Sequence, residues 1–429
     1  MSATRKKVDL TSNTGGIISP NPFWLASAPP ANSGDQVKRA FDAGWGGAVW
    51  KTLGQPIQNV SSRFGGHSYG GKKNIGFNNI ELITDRSLDI NFREILDVKK
   101  QFPKHAMIVS LMVETEEEWR DIILRSIDAG ADGLELNFGC PHGMCERGMG
   151  SAVGQEPKAN EKITSWAVKY STVPVLVKLT PNVGNIVPHG LAAKAGGAHG
   201  VSLINTIKSI IGVDIDRMVP EPRVGGLSTN GGYCGSAVKP IALHMTAALA
   251  REARFGLPIS GIGGVANWRD AVEFIALGAS SVQVCTEVML RGYRIVEDMI
   301  EGLTQFMGDK GYEKIGDFVG KAIPAYSEWG DLDMNYETVA KIDAAKCIGC
   351  NLCMVACDDG AHQCIHPSEA GSHVPVVDED ECVGCNLCQI VCPVPDCITM
   401  EEVDNGFEPG TWNEHLAGTT TLRPKKGAH

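Results

Sequence analysis

Short apolar runs recur along the first two thirds of the chain, each closing in small or polar residues. They are PFWLASAPP (Pro22 to Pro30), GGAVWKT (Gly46 to Thr52), MIVSLMV (Met107 to Val113) and GLELNFG (Gly133 to Gly139), then PVLVKLTP (Pro174 to Pro181), HGVSLINT (His199 to Thr206), LPISGIGG (Leu257 to Gly264) and SSVQVCT (Ser280 to Thr286). Their length and composition predict strands. Between them lie helix-like stretches, such as Val37 to Ala43, Thr164 to Tyr170, Ile241 to Arg254 and Trp268 to Leu277. Another helix begins near the acidic run Glu114 to Glu118, where negative charge suits a helix N-terminus. Repeated strand-helix alternation is the pattern of an α/β domain. Eight such units over roughly 260 residues match a (β/α)8 TIM barrel.

The competing architecture is a doubly wound open sheet. Gly261-Ile262-Gly263-Gly264-Val265-Ala266 fits G-x-G-x-x-G/A, which favours it. That pattern belongs in the first βα turn, with an acid ending a following strand, and neither condition holds here. After a seventh barrel strand the same glycines let backbone amides approach a phosphate. The fourth run carries the most suggestive chemistry. It passes through Asn137 into a Gly139-Cys140-Pro141 turn, which delivers an amide and a thiol to a strand's carboxyl end.

At 429 residues the chain exceeds one ordinary compact core unless that core is a barrel, so a large domain and a smaller one are expected. No apolar run reaches the roughly 18 residues that a membrane span needs. The start, MSATRKKVDLTSNTGG, has no apolar core behind its basic cluster, so it is not a signal peptide and a cytoplasmic location is expected. A net charge of −11 argues against a nucleic-acid surface and leaves a small molecule or another protein as partner.

The cysteines are unevenly spread. Cys140, Cys145, Cys234 and Cys285 are scattered, while ten lie between Cys347 and Cys397. Cys347-x2-Cys350-x2-Cys353-x3-Cys357 and Cys382-x2-Cys385-x2-Cys388-x3-Cys392-Pro393 repeat the two-cluster bacterial ferredoxin signature. In it the fourth Cys of each run crosses to the other cube. One cluster then takes Cys347, Cys350, Cys353 and Cys392, and the other Cys382, Cys385, Cys388 and Cys357. A pair of structural zinc sites would need two C-x2-C pairs per metal and would leave the extra Cys of each run unexplained. Cys364 and Cys397 fall outside the pattern. The expected layout is an N-terminal arm (1–20), a barrel (21–305), a helix and linker (306–335), an α+β ferredoxin-like domain (336–404) and a loosely ordered tail (405–429).

An iron-sulfur pair joined to a barrel implies a redox cofactor in that barrel. From about Pro22 to Met400 the chain resembles the pyrimidine-reducing subunits of bacterial NAD-dependent dihydropyrimidine dehydrogenases, within the dihydroorotate dehydrogenase-like family. The resemblance rests on LASA (Leu25 to Ala28), Lys51-Thr52, NIEL (Asn79 to Leu82), LELNFGCPHGM (Leu134 to Met144), KLTPN (Lys178 to Asn182), INT (Ile204 to Thr206), GYCGSAVKPIAL (Gly232 to Leu243), GIGG and QVCT (Gln283 to Thr286). It implies FMN at the barrel mouth. Ala26 and Ser27 would meet the flavin ring, and Lys51, Thr52 and Lys178 would lie beside it, the lysines stabilising the anionic reduced form. Gly235, Gly263, Gly264, Cys285 and Thr286 would hold the phosphate. Cys234 departs from the Ser usual in relatives, and Gly139 replaces the Ser of mammalian ones.

The same resemblance points to Asn79, Asn137, Asn205 and Thr206 for the substrate, since an Asn amide offers a donor and an acceptor in one plane to a flat pyrimidine. It implies hydride transfer from FMN to C6 of uracil or thymine and proton transfer from Cys140 to C5, on a glycine-rich loop (Cys140 to Ser151) able to close. A thiol with an ordinary pKa of about 8.5 carries its proton at neutral pH. Cys145, in the same loop, ranks below Cys140 because it does not follow the strand directly. Electrons would come from FAD and NAD(P)H on a separate reductase subunit, in a heterotetramer, through the two clusters. Two other readings remain: a dihydroorotate dehydrogenase-like oxidoreductase, and an electron-transfer subunit whose barrel is only a scaffold.

Overall fold

A computed structural model describes residues 8–141, 148–360 and 362–424. The chain divides into two compact units, Met1–Ala325 and Tyr326–His429. In the first, eight parallel strands close a barrel: β1 (Phe23–Leu25), β2 (Gly47–Leu53), β3 (Ala106–Leu111), β4 (Gly133–Asn137), β5 (Val175–Lys178), β6 (Gly200–Leu203), β7 (Ile259–Ile262) and β8 (Ala279–Val284). Each falls on one of the eight apolar runs, and β8 pairs back onto β1 through Val284 and Leu25. The fold is the TIM barrel that the alternation predicts.

The helices that cover it are α1 (Gly34–Ala43), α2 (Leu88–Gln101), α3 (Glu116–Asp128), α4 (Pro157–Tyr170), α5 (Val187–Ala195), α6 (Lys239–Arg251), α7 (Trp268–Ala276) and α8 (Ile295–Lys310). Local chemistry sets where they start. Thr115 and Glu118 form a reciprocal capping box at α3, whose first turn holds three glutamates against the positive end of the helix dipole. Asn267 and Asp270 do the same for α7. Helix α1 stops where Gly44 turns left-handed.

Alternation along the strands then sorts side chains to two sides. Trp50, Val109, Leu136, Val177, Leu203 and Val284 join the layer packed against the helices. Their neighbours Trp24, Val49, Ile108 and Leu176 form a separate apolar cluster in the barrel, completed by Ile17. Ile17 comes from a hairpin, Ser12–Thr14 with Ile17–Ser19, that closes the amino-terminal end of the strands. The hairpin is fastened by Thr14 Oγ1 donating to Ser281 Oγ at 2.9 Å and by Trp24 Nε1 donating to Ser19 Oγ at 2.8 Å. Above this floor the buried polar side chains include Lys51, Ser110, Glu135, Lys178, Ser202, Ser260 and Gln283.

A second, antiparallel sheet lies outside the barrel order. Its strands run Ile207–Ser209, Gly231–Cys234, Lys72–Asn79 and Phe64–Tyr69, contributed by the segments after β2 and β6. Its glycines and exposed polar residues gave no strand-like run in the sequence. Residues 306–325 also belong to the barrel unit: Ile315 and Phe318 are buried in its core, and Gly320 N–H donates to the Ile275 carbonyl at α7.

In the second unit β9 (Thr338–Ile342) pairs antiparallel with β10 (Ile398–Glu402), and two short helices carry the later cysteines of the runs, α9 (Leu352–Gly360) with Cys353 and Cys357 and α10 (Leu387–Val391) with Cys388. The core is Val339, Ala340, Ile365, Ile398 and six buried cysteines. The tail corrects the expectation of loose order. Thr411 caps a helix at Trp412–Leu416, Asn335 Nδ2 donates to the Glu408 and Thr421 carbonyls, and Arg423 pairs with Glu337 at 3.3 Å. No described helix is long and apolar enough to cross a membrane.

Trp24 fills the barrel floor with no exposed surface. Trp24→Ala is expected to destabilise the barrel by roughly 3–5 kcal/mol in denaturant unfolding, and a loss below about 1 kcal/mol would show the floor to be loosely packed.

Candidate active site and cysteine-lined cavities

The barrel residues expected to meet flavin, phosphate and substrate, and Cys140, all line one cavity of about 1230 Å³, open mouth included. It sits over the carboxyl ends of the strands, the side on which TIM-barrel chemistry is done. Its floor holds two buried ion pairs. Lys51 Nζ lies 2.9 Å from Glu81 Oε1, and Lys178 Nζ lies 3.6 Å from Glu135 Oε1. Lys51 is an interior residue of β2, which runs on to Leu53, while Lys178 ends β5. Glu81 also receives Arg63 Nε at 3.1 Å.

Glu135 is the residue that sequence reasoning passed over. It stands between Leu134 and Leu136, so its run reads as an ordinary buried strand, yet it points inward with no exposed surface. Ser202 Oγ donates to its Oε2 at 2.7 Å and Gln283 Nε2 at 2.9 Å. The signal was available: a carboxylate within an apolar run has to find partners or pay heavily for burial. In the sequence Gln283 is marked only by its place in the QVCT motif. Its Nε2 also reaches Ser260 Oγ at 3.2 Å, while its buried Oε1 has no hydrogen-bond partner among the described residues.

A chain of hydrogen bonds crosses the strand ends. Ser27 Oγ meets Thr52 Oγ1 at 3.1 Å, and Thr52 Oγ1 accepts from Asn137 Nδ2 at 3.0 Å. Asn137 Oδ1 accepts from Asn205 Nδ2 at 3.0 Å and from the Gly139 N–H at 3.2 Å. Asn205 Oδ1 in turn accepts from the Thr206 N–H at 2.8 Å. These contacts fix which face each amide presents, and each amide retains further hydrogen-bonding capacity. Asn79 is held separately, its Nδ2 donating to the Gly232 carbonyl at 3.1 Å. Gly139 is needed for this packing, because a Cβ there would come within 2.4 Å of Asn205 Cβ and Nδ2.

Three glycines shape the far side. Gly235, Gly263 and Gly264 have φ of +95°, +126° and +79°, a backbone region that L side chains rarely adopt. A Cβ on Gly264 would meet the Gly235 carbonyl at 3.0 Å and Lys239 Cβ at 2.8 Å, so the two turns close on each other at the start of α6. Thr286 Oγ1 donates to Cys234 Sγ at 3.2 Å, and Cys234 Sγ lies 3.3 Å from the Phe77 carbonyl. Burial pushes the Cys234 thiol up to about 11, with the Thr286 hydroxyl opposing it. Burial and the Cys234 thiol also raise Cys285 well above the usual thiol range. Neither is a thiolate at neutral pH. Cys140 is buried against Ile83, Met112 and Met149, and its carbonyl accepts from the Ser151 N–H at 3.0 Å. Residues 142–147, half of the loop expected to close and with Cys145 among them, lie outside the described residues.

The second unit holds two smaller cavities, each about 320 Å³. One is bordered by Cys347, Cys350, Cys353 and Cys392, the other by Cys382, Cys385, Cys388 and Cys357. The fourth Cys of each run thus stands with the first three of the other, the grouping drawn from the spacing. The four motif thiols around each small cavity, joined by Cys397 in the first and Cys364 in the second, fit a [4Fe-4S] cube, which Cys thiolates bind.

Residues 10–307 match the dihydroorotate dehydrogenase family, and residues 340–400 match the 4Fe-4S dicluster domain. The chain is 42% identical over 363 residues to the NAD-dependent dihydropyrimidine dehydrogenase subunit PreA of Escherichia coli (strain K12), covering 84% of this chain and 88% of that protein. It is 39% identical over 344 residues to the chloroplastic dihydropyrimidine dehydrogenase (NADP(+)) of Arabidopsis thaliana, covering 77% and 81%. It is 34% identical over 316 residues to the dihydroorotate dehydrogenase B (NAD(+)) catalytic subunit of Pyrococcus horikoshii, covering 72% and 96%. With its barrel matched almost from end to end and cysteines grouped around two cavities in the second unit, the chain belongs to the dihydroorotate dehydrogenase family, as an enzyme with a 4Fe-4S dicluster domain in the same polypeptide.

Proposed function

We propose that the chain reduces the C5=C6 bond of uracil or thymine, as the pyrimidine-reducing component of a dihydropyrimidine dehydrogenase. The observation that carries this reading is the amide chain through Asn137 and Asn205, which opens into the same cavity as Asn79 and Cys140. A pyrimidine ring is flat and neutral and alternates C=O with N–H, so oriented amides can read its edges. The lysines of the cavity each already face a carboxylate, which suits a neutral ring better than a substrate with a carboxylate of its own.

The residues also fit FMN. Three positive-φ glycines leave room for backbone amides to approach a phosphate, and the unpartnered Gln283 Oε1 is a buried acceptor for a ring N–H. Ala26, Ser27, Thr52, Lys51 and Lys178 would border the ring, and Gly235, Gly263, Gly264, Cys285 and Thr286 the phosphate. When bound, FMN supplies the hydride, and the two clusters supply electrons one at a time. Asn79, Asn137, Asn205 and Thr206 hold the pyrimidine in plane. Cys140 Sγ gives the proton to C5, completing saturation of the bond. Electrons originate on a partner subunit that binds FAD and NAD(P)H, a reading supported by the word "subunit" in the name of the Escherichia coli relative.

Cys140→Ala is expected to keep the flavin absorbance while lowering turnover of uracil by about 10²- to 10⁴-fold, measured anaerobically with an artificial electron donor. Full activity with an unshifted pH profile in Cys140→Ser would remove Cys140 from the role. Gly139→Ser should displace Asn205 and raise KM for the pyrimidine about tenfold, the cost of a lost amide contact, while the flavin is retained. An unchanged KM would show that Asn205 does not hold substrate.

A further inference from the structure

Ten cysteines lie between Cys347 and Cys397, and the two runs account for eight of them. The remaining pair, Cys364 and Cys397, are both buried, and each borders one of the two cysteine-lined cavities. Cys364 Sγ lies 3.5 Å from Cys357 Sγ and within hydrogen-bonding reach of Cys382. Cys397 is within hydrogen-bonding reach of Cys392 and close to Cys347. In both halves of the domain, then, the extra thiol stands beside the crossing Cys of one run and the first Cys of the other. Both are also followed by a buried Ile, Ile365 and Ile398, that opens a strand. The placement is part of a repeated half-domain design, and the motif spacing alone does not show it.

A [4Fe-4S] cube takes four thiolates, which the two runs already supply. Iron coordination removes the proton from a ligand sulfur. Between Cys357 and Cys364, whose sulfurs lie 3.5 Å apart, only Cys364 keeps an S–H to give once Cys357 is a ligand. We propose that Cys364 and Cys397 are positioning residues of the two clusters, each donating an S–H hydrogen bond to a ligand sulfur, Cys364 to Cys357 and Cys397 to Cys392. Cys397 Sγ donates to the Asp343 carbonyl at a long 3.8 Å, and since one S–H serves one acceptor at a time, the bond to a ligating Cys392 sulfur would replace this weak contact. One-electron reduction makes the cluster and its sulfurs more negative, so a bond of this kind favours the reduced state and raises the reduction potential. This inference rests on the reading that the two runs carry clusters.

The test uses the full chain, loaded with iron and sulfide anaerobically, as wild type and as Cys364→Ala, Cys364→Ser, Cys397→Ala and Cys397→Ser. Iron content is measured first, then each cluster's potential by electron paramagnetic resonance during a redox titration. The expected result is unchanged iron in every variant, a more negative potential for one cluster in Cys364→Ala and for the other in Cys397→Ala, and recovery of most of each shift with Ser, whose hydroxyl still donates. Potentials that stay put in both Ala variants would overturn the proposal. So would Ser variants that shift as far as Ala, since packing alone would then explain the effect. Loss of iron from either Ala variant would make that Cys a ligand instead, and a wild-type chain that takes up no iron would overturn the cluster reading itself. None of these readouts depends on pyrimidine reduction.

Discussion

Glu135 sits at the centre of the barrel with no exposed surface, and three other strands reach it: β5 through Lys178, β6 through Ser202 and β8 through Gln283. A carboxylate in that position is tolerable only with its partners in place, and removal of one partner of a buried charge costs about 3–5 kcal/mol. The same network aims Lys178 and Gln283 at the cavity. Below it lies an apolar floor of Trp24, Val49, Ile108 and Leu176, and above it the amide chain of Asn137 and Asn205. A slip of one residue in β4 would turn Glu135 into the helix layer and Leu136 into the site. Barrel register and site chemistry are therefore one constraint.

Much of this was legible from the sequence because its signals are local. A buried parallel strand is a short apolar run, and a cluster ligand set is a spacing, so all eight barrel strands and the grouping of eight cysteines could be read from neighbouring residues. What escaped was set by partners far apart in the chain. Lys51 shows no sign in the sequence of its pairing with Glu81, and Glu135 hides between two leucines. The antiparallel sheet of 64–79 and 207–234 is rich in glycine and polar residues, and its two segments pair across more than a hundred residues of chain, as where Asn79 lies opposite Gly232. The tail reads as polar and irregular, yet Asn335 and Glu337 draw it in by hydrogen bonds and an ion pair.

The two units have different chemistry. In the barrel, charges are matched in pairs and amides are oriented, the arrangement on which the proposed pyrimidine reduction rests. In the second unit the core itself is largely cysteine, with Val339, Ala340, Ile365 and Ile398 as its few aliphatic members. So small a core stands to gain its stability from what the thiols bind, as metal-dependent domains do.

The most direct test follows the visible spectrum of the purified, anaerobically reduced chain as uracil, thymine or orotate is added. The account predicts that a pyrimidine base restores the absorbance of oxidised flavin while orotate leaves the reduced spectrum unchanged. Reoxidation by orotate alone, or a spectrum with no flavin in it, would contradict it.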